Sequence, residues 1–315
     1  MAQVQPVNPT FTLNLTLLTL PHHTPIPISN PIILRLNHRP SPPSSFFSSA
    51  AAAVDRFRSS KFRRRRRSVR SSAMVFSADP VVSDLCAAGL SGGIAVGLLQ
   101  VWKETAKRGI FDQKLNRKLV HVSIGLVFML CWPLFSSGYR GAVLAGLIPG
   151  VNIIHMLLLG LGLLKDEATV KSMSRYGNYR ELLKGPLYYA STITIACMVF
   201  WRTSPIGMAA ISNLCAGDGF ADIIGRRFGH QKLPFNRSKS IVGSIAMATA
   251  GFLASVGYMF YFSWFGYVQA SWDMVFGFLI VSLAATVVES LPISTDLDDN
   301  LTVPLTSLLV GILVL

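Results

Sequence analysis

Long apolar runs are the feature that most constrains the fold of this chain. Most of the eight runs after residue 80 reach the roughly 17–25 residues that a helix needs to cross a bilayer. Only 14% of the residues are charged, whereas a soluble domain carries about 25%. We therefore predict an all-α, polytopic transmembrane helical bundle of about six to eight spans. The runs are 81–102, 119–135, 141–164, 186–201, 205–225, 241–262, 274–291 and 302–315.

The first 73 residues have a different composition. They are rich in Ser, Pro and Arg, include the basic run Arg63 to Arg67 and contain one acidic residue, Asp55. This composition is typical of an organelle transit peptide, and its Ser and Pro content favours the chloroplast. We predict that residues 1–73 are a chloroplast transit peptide. Residues 74–315 would then form one membrane-embedded domain in the envelope or the thylakoid.

The net charge of +14 is concentrated in this leader. Residues 1–73 hold eleven Lys and Arg against one acidic residue, so the remainder of the chain carries a charge of only +4. A run of five arginines is also compatible with a nuclear signal or a nucleic-acid-binding tail, but the membrane character of the body argues against both. We predict no nucleic-acid partner and no obligate protein partner.

The four cysteines form no CxxC pair, and each lies in an apolar run. This pattern argues against a structural zinc site and against a disulfide framework. We predict buried free thiols at Cys86, Cys131, Cys197 and Cys215.

The loops between the runs have an asymmetric charge distribution. Segments 103–118, 165–185, 226–240 and 292–301 are separated by pairs of spans, so they lie on the same side of the membrane. The first three hold most of the Lys and Arg after the leader, whereas the opposite connections are short and poor in charge. The positive-inside rule predicts that the basic side faces the stroma.

A polar stripe interrupts the fifth apolar run. Asp218, Asp222, Gly225 and Gly229 follow one another at i, i+4, i+7 and i+11, which places them on one helical face. Ionisable residues at membrane depth usually mark a functional site. We predict that the two carboxylates hold Mg²⁺ or another divalent cation and that the glycines let a large anionic group approach the backbone. A pair of Asp residues at a hydrated helix end is the alternative.

A basic loop follows the stripe and opens the next helix. Arg226, Arg227, Lys232 and Lys239 supply positive charge, and Ser240 is a natural N-cap whose helix start can bind phosphate. The loop alone is compatible with an ordinary positive-inside segment. Carboxylates for a metal followed by cations for phosphate are, however, what a nucleoside triphosphate requires.

Two further groups are weaker candidates. Arg117, Lys118 and His121 open the second span, either as interfacial cations with a core histidine or as groups that contact phosphate or handle a proton. Lys184 precedes the fourth run on the same side, and an ordinary interfacial lysine is the slightly favoured interpretation.

A second acidic group precedes the last run. Glu289 lies within an apolar run and so needs a partner or water. Asp296 and Asp299 follow it on a segment that is either a solvated helix cap or part of the site. As part of the site, this group would complete a metal site or act as the base that activates an alcohol.

The spacing of the stripe and of the basic loop resembles the CTP-binding motif of the polyprenol kinases, and it also echoes the membrane phosphatidate cytidylyltransferases. The matching pattern is Asp218-x2-Ala221-x3-Gly225-x3-Gly229-x8 leading into Ser-Lys-Ser-x-x-Gly243. The usual motif ends Lys-Lys-Thr-x-Glu-Gly, so Ser and Val replace its first Lys, its Thr and its Glu here.

The resemblance is closer to the phytol and farnesol kinases of plant chloroplasts, and it covers essentially the whole chain after the leader. The segments that carry it are 110–115, 125–138, 181–189 and 288–296. The resemblance implies a membrane kinase that transfers phosphate from CTP to a prenyl alcohol such as farnesol, geranylgeraniol or phytol. Two alternatives stay open, a membrane cytidylyltransferase acting on a lipid phosphate and an ion-coupled transporter.

Overall fold

The computed structural model describes residues 79–292 and 297–315, and it is built from helices without a β-strand in these ranges. The predicted all-α membrane bundle is therefore confirmed. The predicted transit peptide and Asp296 lie outside the described residues. The α-helices are α1 (Pro80–Arg108), α2 (Gln113–Leu130), α3 (Tyr139–Gly160), α4 (Glu167–Met173), α5 (Gly185–Val199), α6 (Pro205–Ser212), α7 (Asp218–Phe228), α8 (Ile241–Trp264), α9 (Trp272–Ser290) and α10 (Asp299–Val314).

Six helical segments of the described chain are long and apolar enough to cross a membrane. They are Pro80–Arg108, Gln113–Leu134, Tyr139–Gly160, Tyr179–Val199, Ile241–Trp264 and Trp272–Ser290. Helix α10 is a shorter apolar helix, and α6 and α7 are joined through a π-helical turn at Asn213–Gly217 into a continuous helical path. The number of candidate spans thus agrees with the predicted range.

Side-chain caps fix where most of these helices begin. A carboxylate or hydroxyl just before the first turn accepts a backbone N–H that has no partner within the helix. The caps are Asp79 for α1, Asp112 for α2, Asp166 for α4, Ser240 for α8, Ser271 for α9 and Asp298 for α10. The predicted N-cap at Ser240 is therefore present, and its hydroxyl oxygen lies 3.1 Å from the N–H of Gly243.

An aromatic cluster closes the end of the bundle opposite the basic loops. Arg202, only 1% exposed, donates from Nη1 to the carbonyl oxygens of Trp132 (3.1 Å) and Phe135 (2.6 Å). The Tyr267 ring covers its guanidinium at 3.9 Å. Carbonyls and a π face thus stabilise a buried cation.

Three of the four thiols are buried as predicted, but Cys86 is exposed. An apolar run in a membrane bundle has a face that is turned away from the other helices, and Cys86 lies on that face of α1. The prediction was therefore wrong for this residue.

The π-helical turn crosses α8 at close range. A Cβ atom on Gly251 would lie 2.0 Å from Oδ1 of Asn213, which belongs to the turn. The Nδ2 group of Asn213 in turn donates to the hydroxyl of Ser307 on α10, at 3.3 Å. A glycine is therefore required where α8 passes the turn.

We predict that Gly251→Ala lowers the stability of the detergent-solubilised protein by about 1–3 kcal/mol, because the methyl group forces the helices apart. Gly257→Ala is the matched control, since a Cβ there meets nothing within 4 Å. Thermal unfolding of the two variants measures the difference. Equal unfolding temperatures would contradict the requirement for close packing.

Candidate active site

A cavity of about 700 Å³ lies at the end of the bundle where the basic loops meet. Its described wall carries eight Lys or Arg side chains and five Asp or Glu side chains, so cations are in excess. The charged residues are Lys114, Arg117, Lys118, Arg175, Lys184, Arg226, Lys232, Lys239, Asp218, Asp222, Glu289, Asp298 and Asp299. A large polar cavity with a positive excess suits a polyanionic ligand.

Three carboxylates meet in the inner part of this cavity. Asp218, Glu289 and Asp299 come from α7, α9 and α10, and their ligand oxygens lie within 4.8 Å of one another. Asp218 is 2% exposed and Glu289 is 3% exposed. Close, buried carboxylates repel one another unless cations neutralise them.

Two lysines supply that neutralisation. Lys118 Nζ lies 2.7 Å from Oδ2 of Asp218, and Lys239 Nζ donates both to Glu289 and, at 3.0 Å, to Asp299. Burial by itself lowers the pKa of the Lys239 ammonium, but the charges of Asp299 and Glu289 outweigh burial and raise it above its usual value. Lys239 is therefore a stable cation in this loop.

A buried amide fixes the loop that carries Lys239. Asn236, which is 6% exposed, donates from Nδ2 to the carbonyl oxygens of Ser290 (3.1 Å) and Leu291 (3.2 Å) at the end of α9. The N–H of Leu233 donates to the carbonyl of Lys239 at 3.1 Å. The loop is thus closed on itself and joined to the helix that bears Glu289.

The π-helical turn brings His121 to Asp218. His121 Nε2 lies 2.7 Å from the carbonyl oxygen of Leu214, within that turn, and 3.3 Å from Oδ2 of Asp218. Because a carbonyl oxygen only accepts, Nε2 carries the proton. A π-helical turn is a frequent device at functional sites, since it departs from the regular α-helical ladder.

The three carboxylates fit a divalent cation chemically. Carboxylate oxygens are the ligands that Mg²⁺ prefers. Oδ1 of Asp299 is buried and has no hydrogen-bond partner among the described residues, so one oxygen of the group can accept a donor from a substrate.

The structure places the second carboxylate of the stripe differently from the first. Asp222 Oδ2 lies 2.5 Å from Nη2 of Arg226, in a partly exposed i, i+4 ion pair. It lines the large cavity but does not belong to the group of three carboxylates found in the described chain. One helical face therefore presents Asp218 to the bundle interior and Asp222 to the mouth of the cavity.

The glycines of the stripe accommodate Ser240 and the start of α8. A Cβ on Gly225 would lie 3.1 Å from Ser240 Oγ, and a Cβ on Gly229 would lie 2.3 Å from the same atom. A Cβ on Gly243 would lie 3.0 Å from the carbonyl oxygen of Ala221. The sequence predicted that the glycines of the stripe leave room for an anionic ligand. Ser240 and the start of α8 occupy part of that room, although Gly225 and Gly243 still line the cavity.

The remaining candidates divide into two groups. Arg117 and Lys184 line the large cavity together with the basic loop, whereas Arg227 and Gly229 are absent from its described wall. Asp296 lies outside the described residues.

Several cavity residues were missed by sequence reasoning. Arg175 and Tyr176 line the cavity from the loop after α4, and Lys114 Nζ lies 5.3 Å from the centre of the Tyr176 ring. Glu181 holds this loop by accepting the N–H groups of Arg175 (2.5 Å) and Tyr176 (3.1 Å). The sequence did place segment 165–185 on the same side of the membrane as the other basic loops. That placement does not tell which side chains of the segment reach the cavity.

Comparison with known proteins decides the family. The chain is 67% identical over 237 residues to probable phytol kinase 3, chloroplastic, of Glycine max, a match that covers 75% of this chain and 74% of the relative. It is 63% identical over 242 residues to farnesol kinase, chloroplastic, of Arabidopsis thaliana, covering 77% and 79%. The chain belongs to the family of chloroplastic phytol and farnesol kinases. The resemblance stated from the sequence is thereby confirmed.

A more distant member of the family also matches over most of its length. Phytol kinase 1, chloroplastic, of Arabidopsis thaliana is 41% identical over 251 residues, which cover 79% of this chain and 82% of the relative. No protein-family model and no solved structure matches the chain.

We predict that Lys239→Met destabilises the protein by about 3 kcal/mol, because it removes the ammonium between two carboxylates. Mg²⁺ is expected to recover more of the unfolding temperature in this variant than in the wild type, since a divalent cation replaces the lost charge. Lys232→Met is the control, because Lys232 lines the same cavity at an exposed position. An equal response of both variants to Mg²⁺ would contradict a cation site at these carboxylates.

Proposed function

We propose that this protein is a CTP-dependent prenyl alcohol kinase of a chloroplast membrane, with farnesol as the first candidate acceptor and geranylgeraniol or phytol as others. Membership of the phytol and farnesol kinase family supports an alcohol phosphotransferase. The observation that carries the proposal is the meeting of three acidic side chains with a basic cavity at one end of an apolar bundle.

The basic wall of the cavity suits a triphosphate. Lys118 and Lys239 lie beside the carboxylates, and Arg117, Arg226 and Lys232 surround the wider part of the cavity. Arg side chains grip phosphate oxygens in a bidentate manner, and Lys acts as a point charge. In this proposal the inner lysines contact the phosphates nearest the metal, and the outer cations hold the remainder of the nucleotide.

The exposed ring of Tyr176 offers a stacking surface for a base near the cavity mouth. Stacking is tolerant of base identity, so discrimination among CTP, UTP and ATP would depend on hydrogen bonds between the protein and the base. The preference for CTP rests on the resemblance to the CTP-binding motif.

Asp218, Glu289 and Asp299 are the residues proposed to hold Mg²⁺. When bound, the ion neutralises charge on the triphosphate and helps to orient it. This set keeps Asp218 from the pair expected from the sequence and has Glu289 and Asp299 in place of Asp222. Asp222, with its partner Arg226, is assigned to the cavity mouth.

Asp299 is the proposed base for the acceptor alcohol. In this assignment Oδ2 of Asp299 belongs to the metal-binding group, and Oδ1, which has no hydrogen-bond partner among the described residues, accepts the proton. The alcohol oxygen forms a bond to the γ-phosphorus, the bond from that phosphorus to the β–γ bridging oxygen breaks, and CDP leaves. The hydroxyl proton passes to the carboxylate, and the product is the prenyl monophosphate.

The position of the cavity also suits an apolar acceptor. A prenyl alcohol partitions into the bilayer, and its hydroxyl then lies near the interface. The basic loops that line the cavity are at one end of the spans, which is where a soluble nucleotide and a membrane-dissolved alcohol can meet.

Isotope labelling distinguishes the kinase from a cytidylyltransferase. With the purified protein in lipid, label from γ-labelled CTP is expected in the prenyl product and label from α-labelled CTP is expected in CDP. Transfer of the α-label to the lipid would overturn the kinase assignment. Crossing CTP, UTP and ATP with farnesol, geranylgeraniol and phytol in the same assay measures both preferences.

We predict that Asp218→Asn lowers kcat by roughly 100-fold or more, because the proposed metal site loses a charged ligand. Asp273→Asn is the matched control, since Asp273 is exposed in the first turn of α9, at the other end of that helix from Glu289.

The double variant Asp218→Asn/Lys118→Met removes both charges of the buried pair and tests whether loss of activity follows from the ligand rather than from an unpaired lysine. It is expected to insert into membranes normally and to stay inactive. Substantial turnover in the double variant would remove Asp218 from the site.

A further inference from the structure

We propose that a second, smaller cavity binds the hydroxyl end of the prenyl alcohol, and that Asn300 receives the hydroxyl there. This inference rests on the proposed function and adds the acceptor's binding site to it. The cavity is lined by residues of α1, α2, α3, α4, α5 and α10, and its volume is about 60 Å³.

The smaller cavity is apolar over most of its wall and polar at one end. Leu99, Val120, Ile124, Met173 and Tyr189 supply apolar surface from four helices. Sites of this kind, with much apolar surface and a few polar groups that fix orientation, are typical of small-molecule pockets. The chemistry of the wall matches a molecule that carries one hydroxyl on a hydrocarbon chain.

The polar end adjoins the nucleotide cavity. Arg117 lines both cavities, and His121 and Asn300 line the smaller one. Asn300 donates to Asp298, which lines the nucleotide cavity, and His121 lies 3.3 Å from Asp218, which lines it too. A hydroxyl held at this end is therefore separated from the nucleotide cavity by these side chains alone.

Asn300 has an acceptor that no described residue satisfies. Its side chain is 3% exposed, and its Oδ1 has no hydrogen-bond partner among the described residues. Its Nδ2 donates to Oδ1 of Asp298 at 2.5 Å, which fixes the orientation of the amide and leaves Oδ1 as the acceptor for another group. An unsatisfied buried acceptor costs about 1–3 kcal/mol, so a donor from a ligand is favourable there.

Gly185 creates the room for this polar end. A Cβ atom at this position would lie 2.9 Å from Nη2 of Arg117 and 3.1 Å from Nδ2 of Asn300. The start of α5 can therefore approach both side chains only because it carries no side chain of its own there.

The size of the cavity limits what it encloses. A water occupies about 10–15 Å³ on the same measure, so about 60 Å³ holds roughly four to six small groups, about one isoprene unit. The rest of the prenyl chain then extends beyond the cavity into the bilayer. We therefore expect discrimination at the hydroxyl end of the acceptor and weak discrimination by tail length, within about tenfold in kcat/KM between farnesol and geranylgeraniol.

Photo-crosslinking locates the acceptor independently of turnover. The probe is a farnesol analogue with a diazirine in the isoprene unit next to the hydroxyl and an alkyne at the far end, used with the full chain in lipid nanodiscs. Label that excess farnesol competes away is expected on residues 120–124 of α2 and 185–189 of α5. Competed label confined to other helices, or label that farnesol does not reduce, would overturn the assignment.

Variants test the two ends of the cavity. Asn300→Ala is expected to raise KM for farnesol at least fivefold and to reduce competed labelling, with KM for the nucleotide unchanged. Asn300→Gln, which keeps both the acceptor and the donor of the amide, is expected to recover part of the loss. Ile124→Phe narrows the cavity and is expected to have the same effect on farnesol, whereas Leu130→Phe, on an exposed part of the same helix, is not.

The outcomes separate the two proposals. Competed label in the cavity without phosphorylation of any prenyl alcohol would uphold this binding site and overturn the kinase proposal. Phosphorylation of farnesol with equal KM values in Asn300→Ala, Ile124→Phe and Leu130→Phe would overturn the binding site and uphold the kinase.

Discussion

The buried ion pair between Lys118 and Asp218 is the interaction on which the rest of the site depends. Its two charges come from positions 100 residues apart, on α2 and α7, and both side chains are almost fully removed from solvent. Neither charge is stable at that depth without the other. The pair therefore holds α2 against α7, and it places a carboxylate and an ammonium side by side at the inner end of a cavity that is otherwise dominated by cations.

Much of the architecture could be predicted because membrane helices carry strong local signals. The apolar runs predicted a range of six to eight spans that includes the six candidates of the described chain, and Ser240 could be identified as a cap from its residue type and position. Cys86 shows the limit of this reasoning, because an apolar run does not tell which of its faces meets other helices. Tyr176 was missed for another reason, because the assignment of a connecting loop to one side of the membrane does not tell which of its side chains reach the cavity.

The site could be predicted residue by residue but not as an assembly. Asp218, Lys118, His121, Glu289 and Asp299 each stood out by type and position, yet no periodicity links α2, α7, α9 and α10. The spacing around Asp222 is compatible with two roles. Asp218 and Asp222, one turn apart, could bind a metal together, and Asp222 with Arg226 at i+4 could form an ion pair. Only the tertiary structure distinguishes the two roles, because it shows that α7 buries Asp218 in the bundle and leaves Asp222 partly exposed.

The number of residues in the π-helical turn at Asn213–Gly217 determines the orientation of the side chains that follow it on α7. Each residue added to or removed from a helix turns everything beyond it by about 100°, a consequence of 3.6 residues per turn. Deleting one residue from this turn would rotate Asp218 away from Lys118 and would carry Gly225 and Gly229 away from Ser240 in the same movement. The orientation of Asp218 toward Lys118 and the packing of the two glycines against Ser240 thus depend on the same rotation, so insertions and deletions here disturb both together.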